Sequence, residues 1–282
     1  MTRDRTPLLR RAYANTHEFR LATEWLGWFL TRLKVEAPMQ ILFQKYRLSR
    51  TPANRYRQIL QRVDDLTPPT RDEIETYFAQ LRFIASMLPR ERCRFQLEGG
   101  MSLALHCGGF TRRHGDVDIS ILEDALPTVA DLLADNGYGL FSRNAFHAFE
   151  YAPWGVLEPL TAKQILGRRR VKRLSAVKLD ARGAVDRNDS LLPRFDLHIH
   201  RDDGQVVWLE RGPVAFPRDL FFSSRVFNVD ERCQINLASL ALTFYYKVRG
   251  KRLRHRRDLD LIEKHEHFTA ESRERTLQVL GC

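Results

Sequence analysis

Apolar residues recur at helical spacing through the first part of the chain. Leu21, Trp25, Trp28, Phe29 and Leu33 fall three and four apart, the spacing of a core-facing stripe. Thr51-Pro52 reads as an N-cap followed by proline at the first helical position, with Tyr56, Ile59, Leu60 and Val63 on one face behind it. The best-defined helix comes next. Thr70 and Glu73 have capping-box spacing, in which each side chain satisfies the other residue's free backbone N–H. Ile74, Tyr77, Phe78, Leu81, Ile84, Ala85 and Leu88 then form its apolar stripe, and Pro89 stops it.

From about residue 92 the period changes. Phe95-Gln-Leu97 alternates as a short strand and runs into Glu98-Gly99-Gly100. Met101 to Cys107 predicts a short helix ended by Gly108-Gly109, and Asp116 to Leu122 alternates again as a strand. Leu126-Pro127 opens a helix with Val129, Leu132 and Leu133 inward and Gly137 at its C-cap. Further strands are predicted at Phe146 to Tyr151, Arg194 to His200 and Gln205 to Leu209, the last two joined by the turn-forming Asp202-Asp203-Gly204. Leu237, Leu240, Ala241, Phe244 and Tyr245 mark a C-terminal helix, with more helical sequence after it. There is no internal repeat and no low-complexity tract. The pattern predicts an α+β protein in three regions: a helical 1–90, a small mixed β-sheet with flanking helices over 91–218, and a helical 219–282.

Charge narrows the partners. Among 282 residues, 46 Lys+Arg face 35 Asp+Glu, a formal net of +11, which suits a polyanionic or phosphorylated partner. No apolar run approaches the roughly 18 residues that a membrane-spanning helix needs, so no membrane partner is expected. The basic N-terminus has no apolar signal core behind it. Cys93, Cys107, Cys233 and Cys282 show neither CxxC pairing nor zinc-like spacing. These features are read as those of a cytoplasmic protein with reduced thiols.

The chemistry concentrates in three carboxylates and two glycines. Asp116 and Asp118, two apart on a predicted strand, project from one face about 6–7 Å apart along the backbone. Like charges so placed raise each other's pKa unless a cation lies between them, and hard oxygen donors suit Mg²⁺. Asp196 lies in Arg194-Phe-Asp-Leu-His-Ile-His200, whose alternation puts His198 and His200 on the same side. If the two strands are neighbours, the three aspartates converge on a site able to hold two metal ions for displacement at phosphorus. Gly99-Gly100, between a strand and a helix, lets backbone N–H groups approach a phosphate.

At this point the sequence resembles a known group. Glu98-Gly-Gly-Met-Ser-Leu-Ala-Leu-His106, followed by Gly109-Phe-Thr-Arg-Arg-His-Gly-Asp-Val-Asp-Ile119, is similar to the signature of the DNA polymerase beta-like nucleotidyltransferase superfamily. Within it the lincosamide and aminoglycoside nucleotidyltransferases are nearest. Phe195-Asp-Leu-His-Ile-His200 resembles their third-carboxylate strand, and Tyr246-Lys247 with Arg256-Arg-Asp-Leu-Asp260 resembles their helix lysine and downstream element. The resemblance spans about residues 92 to 265; a departure is Met101, where many members carry a hydroxyl residue. It implies a nucleotidyltransferase fold, Mg²⁺ (two ions) on Asp116, Asp118 and Asp196, and ATP or another nucleoside triphosphate as co-substrate. It further implies catalytic roles for those three aspartates, with Asp196 as ligand or base, and nucleotide contacts from Gly99, Gly100, Ser102, Arg113 and Lys247.

Three functions follow as expectations. The first is transfer of a nucleoside monophosphate, AMP from ATP in the simplest case, to a hydroxyl of a small, antibiotic-like acceptor. The second keeps the chemistry on a tRNA or protein acceptor, as in the nucleotidyltransferase toxins of toxin–antitoxin and abortive-infection systems, which the Gly-Gly-x-x-Leu-Ala-Leu run also resembles. The third is an inactive nucleotide- or RNA-binding module. Residues 1–90 have three uses open to them: capping the cleft, forming a homodimer, or binding the acceptor. The basic run 167–173 reads as a loop between strands with triphosphate capture, tRNA contact or no role open to it, and Trp154 is equally a pocket floor or a loop anchor.

Overall fold

The structure, a computed structural model, describes residues 67–142, 159–167, 171, 173–181, 183, 186, 191–222, 225–250 and 253–281. The helices read before residue 67, the strand at 146–151, Trp154, Cys282 and most of the run 167–173 lie outside the described residues. The first helix, α1 (Arg71–Met87), starts at the predicted capping box: Thr70 Oγ1 accepts from the Glu73 N–H, and Glu73 accepts from the Thr70 N–H at 2.8 Å. Tyr77, Leu81, Ile84 and Met87 are its buried side. Burial of such a side chain contributes about 1.5–3 kcal/mol, against about 1 kcal/mol for a typical cap.

A mixed sheet runs in the order β1 (Phe95–Glu98), β2 (Asp118–Leu122), β5 (Arg194–Asp202), β4 (Arg173–Lys178) and β3 (Tyr138–Ser142). All neighbours are antiparallel except β2 and β5, which are parallel and set Asp118 opposite Asp196. The predicted hairpin joins β5 to β6 (Val206–Trp208), and β7 (Ala215–Pro217) continues it. A separate pair, β8 (Val226–Asn228) with β9 (Gln234–Asn236), packs beside β1. The helices between are α2 (Gly99–His106), α3 (Leu126–Asp135), α4 (Ala162–Leu166) and α5 (Arg218–Phe221). The chain ends in α6 (Leu240–Gly250), α7 (Leu253–Glu263) and α8 (Ala270–Leu280). The described residues therefore form the expected α+β fold.

One sheet face is apolar: Leu97, Ile119, Ile121, Phe195, Leu197 and Leu174 pack with α1 and α3 in one core. A second core joins Leu103 of α2 to Phe216, Phe221, Leu242, Phe244, Tyr245 and Ile262, tying the C-terminal helices to the β6–β7 hairpin. The polar face is not open to water, as simple alternation would imply. Asp196, His198 and His200 are 3%, 6% and 0% exposed, so each needs a polar partner inside the protein.

Three local expectations change. Helix α2 begins at Gly99 rather than Met101, because the glycines form its first turn. Strand β2 begins at Asp118, and Asp116 precedes it. Leu237 lies outside α6 and bridges to Leu97 instead, its neighbour Ala238 donating to Leu97 O at 2.8 Å.

Candidate active site

Register builds the acidic cluster. The Asp196 N–H donates to Val117 O at 2.9 Å, so the chain before β2 already follows β5 and carries Asp116 to the side of Asp118. Asp116 is exposed, Asp118 half-buried and Asp196 buried; one oxygen from each lies within 4.8 Å of the others. Ser175, opposite Asp196 on β4, donates to its Oδ1 at 2.8 Å. Three carboxylates this close repel one another unless a cation is shared among them. Their hard oxygens fit a divalent ion such as Mg²⁺ that keeps open positions for phosphate oxygens and water.

The glycines face this cluster. Gly99 has φ +70°, and a Cβ there would stand 2.7 Å from Asp118 Oδ2. A Cβ on Gly100 would strike the Arg112 guanidinium and come within 2.7 Å of the His114 ring. The left-handed backbone favours glycine at 99, and a side chain at 100 would displace Arg112 or His114. No side chain caps α2, so its first N–H groups point with the helix dipole toward the cleft. That cleft has a volume of about 380 Å³ and is lined by Gly99, Gly100, Arg112, Asp116, Asp118 and Lys247, among others.

Cations on the cleft wall are held in place by one acid. Asp258 accepts two bonds from Arg112, at 3.2 and 3.1 Å, and its Oδ2 lies 2.6 Å from Lys247 Nζ. All three side chains are buried. Burial alone would raise the Asp258 carboxyl, but Lys247 and Arg112 hold it below its ordinary range. Burial pulls the Lys247 ammonium down, with Asp258 opposing.

Behind Asp118 lies a second charged group. The fully buried Glu98, opposite Asp118 on β1, bonds to Ser120 and approaches His198 Nδ1 (3.4 Å) and His200 Nε2 (3.6 Å). Burial pushes its carboxyl up, yet His198, His200 and Ser120 hold it below normal. Against its own desolvation, His198 is pushed up to about 10 by Glu98, Asp118 and Glu210. Glu210, paired with Arg173, is held down to about 2 despite burial by His198 and Arg173. Its backbone is left-handed, φ 50°, a conformation costly for any residue but glycine. The Glu210 N–H donates to His200 Nδ1 at 3.1 Å.

Of the residues expected to touch nucleotide, Gly99, Gly100 and Lys247 line the cleft. Ser102 is fully buried, its hydroxyl has no hydrogen-bond partner among the described residues, and it does not line the cleft. Arg113 turns to Glu73 at 3.0 Å, and Arg112 takes the cleft position instead. Sequence reasoning missed Glu98 and Glu210, and named Arg173 only as the last residue of the basic run 167–173. Only Glu98 left a signal, as the last strand residue before the glycine pair. Arg173 opens β4, so the end of that basic run is part of the sheet and faces the cleft.

Three carboxylates at the start of two parallel strands thus face an uncapped Gly-Gly helix start, an arrangement able to hold a divalent cation beside a phosphate. The family model described as aminoglycoside-2''-adenylyltransferase matches residues 80–148, a segment holding both the Gly-Gly turn and the Asp116/Asp118 pair. No curated protein matches the sequence. Among solved structures, the lincomycin-bound lincosamide antibiotic adenylyltransferase LnuA is similar at 15% identity and a TM-score of 0.42, over 72% of this chain and 100% of that one. ANT(2'')-Ia in complex with adenylyl-2''-tobramycin aligns at 12% identity and a TM-score of 0.44, over 74% of this chain and 98% of that one. An antigenic nucleotidyltransferase-like protein from Paracoccidioides brasiliensis aligns at 14% identity and a TM-score of 0.42, over 76% and 88% respectively. Among the described residues, no helix is long and apolar enough to cross a membrane.

Proposed function

We propose that the protein is a Mg²⁺-dependent nucleotidyltransferase that moves a nucleoside monophosphate, AMP from ATP in the simplest case, to a hydroxyl of a small, antibiotic-like acceptor. The observation that carries this reading is the mutual approach of Asp116, Asp118 and Asp196 within 4.8 Å. In the reaction the acceptor oxygen bonds to the α-phosphorus, the bond from that phosphorus to pyrophosphate breaks, and the acceptor proton passes to a carboxylate. Asp116 and Asp118 would hold the metal, and Asp196 would complete its ligands or take the proton. Bound Mg²⁺ supplies charge to the phosphate oxygens as negative charge develops.

The remaining groups divide the work. The first turn of α2 offers N–H donors to phosphate, while Arg112 and Lys247 place positive charge on the same cleft. A second cavity of about 390 Å³ meets the first at His114, Gly115 and Asp116 and continues past Tyr77, Asp186 and Arg194. Two cavities that share Asp116 suit two substrates reacting there, the nucleotide on the Gly-Gly side and the acceptor on the other. Mass spectrometry of lincosamides and aminoglycosides incubated with enzyme, ATP and Mg²⁺ tests the reading. It predicts a nucleotidylated product that disappears with Asp196→Ala; product formation untouched by Asp116→Ala and Asp196→Ala refutes it.

The net charge of +11 favours one second reading, a tRNA acceptor. In that case tRNA binds with an affinity that falls steeply with salt and becomes the modified product.

A further inference from the structure

We propose that His198 is a positioning residue: its ring, wedged between Asp118 and the glutamates 98 and 210, fixes the direction in which Asp118 meets the divalent cation. The inference rests on the carboxylate reading above and adds a role for a residue outside the triad. Nε2 is hydrogen-bonded to Asp118, while Nδ1 makes no hydrogen bond among the described residues and sits at ion-pair distance from two glutamates. Nε2 lies 3.3 Å from Asp118 Oδ1, while Nδ1 lies 3.4 Å from Glu98 Oε2 and 3.5 Å from Glu210 Oε1. Each glutamate is held in turn, Glu98 by Ser120 and Glu210 by Arg173. The edge of Tyr246, with ring centroids 6.0 Å apart, closes another side of the imidazole.

The consequence falls on Asp118. Its carboxylate is half-buried at the cleft wall. A bond from His198 to Oδ1 leaves Oδ2 turned toward Gly99, where a Cβ would stand 2.7 Å away. Ring, glutamates and strand register therefore select one orientation of the acid. Hydrogen bonds to metal-ligating carboxylates typically change metal affinity 10–100-fold when removed.

Two near-isosteric variants separate positioning from packing. The amide nitrogen of His198→Gln reaches the place of Nε2 and retains a donor for Asp118. That of His198→Asn reaches only the place of Nδ1. Mn²⁺ binding to the full chain, followed by electron paramagnetic resonance without nucleotide or acceptor, is the readout, with thermal unfolding of each variant alongside. The expected result is a 10–100-fold weaker Mn²⁺ affinity for His198→Asn and at most about threefold for His198→Gln. Equal affinities in the two variants, whether both weakened or both unchanged, overturn the inference. If His198→Asn fails to fold, Glu210→Gln slackens the ring from its far side and should weaken Mn²⁺ measurably; no change there also overturns it. Asp196→Asn is the control for the site itself. If it binds Mn²⁺ like the wild type, the triad reading fails rather than the role of His198.

Discussion

Replacing Asp258 by asparagine should destabilise the fold by about 3–5 kcal/mol, because it removes the carboxylate that two buried cations share. The magnitude follows from the geometry. Arg112 and Lys247 side chains are 6% and 9% exposed, and both end on this one carboxylate. An asparagine can turn its carbonyl to one cation only, and its NH₂ then faces the other. For a domain of this size, 4 kcal/mol corresponds to a drop in Tm of about 8–16 °C. Differential scanning calorimetry at neutral pH reads it directly. Adding Lys247→Met removes one of the two cations that met Asp258, so the double variant should be less damaged than the sum of the singles by about 0.5–3 kcal/mol. The sign with pH is fixed as well. The carboxyl is held below its usual 3.8 in the folded state, so its stabilisation is present above 3.8 and is lost as pH falls through the lower folded value. A Tm within 2 °C of wild type for Asp258→Asn, or strict additivity with Lys247→Met, refutes the reasoning.

Two further perturbations test other parts of the account. The His106 ring is held neutral, bonded to Ala238 O at 2.9 Å with Arg225 3.4 Å from its other nitrogen, and burial brings its pKa down from 6.5 to about 4. Its stabilisation is therefore complete above pH 6.5 and should be lost by about 3 kcal/mol as pH falls toward 4. Urea denaturation at pH 7 and 4.5 should show a flatter pH dependence for His106→Gln, and an unchanged slope counts against the assignment. Gly99→Ala forces a non-glycine residue to φ +70° and drives a methyl toward Asp118 Oδ2. It should cost about 1–3 kcal/mol in stability and roughly a hundredfold in kcat/KM, whereas wild-type kinetics would show that the cleft does not need this approach.

Much of the site was legible because it depends on local spacing. The capping box of α1, the Gly-Gly turn and the period-two strands around Asp118 and Asp196 each occupy a few consecutive residues. Their convergence required only that the two strands be neighbours, which the structure shows with Asp118 and Asp196 in register. Long-range contacts were less visible. Glu98 becomes part of the site only because antiparallel pairing puts it across from Asp118. Glu210 arrives through a left-handed turn after β6, and no periodicity encodes such a turn. Whether Arg112 or Arg113 enters the cleft depends on which meets Asp258 and which meets Glu73, acids far away in sequence. The burial of Ser102 follows from the two-residue-earlier start of α2 and its packing beneath the C-terminal helices. The short strands β7, β8 and β9 have three residues each, too few for alternation to register.

The most direct measurement follows the α-phosphate. Wild-type enzyme, Asp118→Asn and Asp196→Asn are incubated with Mg²⁺, α-labelled ATP and an acceptor panel of lincosamides, aminoglycosides and tRNA. Label and pyrophosphate are then quantified together. The wild type should move the α-label to an acceptor with one pyrophosphate released per transfer, and each aspartate variant should lose at least about a hundredfold in rate. Label transfer that survives in both variants, or ADP formed in place of pyrophosphate, would contradict the proposed reaction.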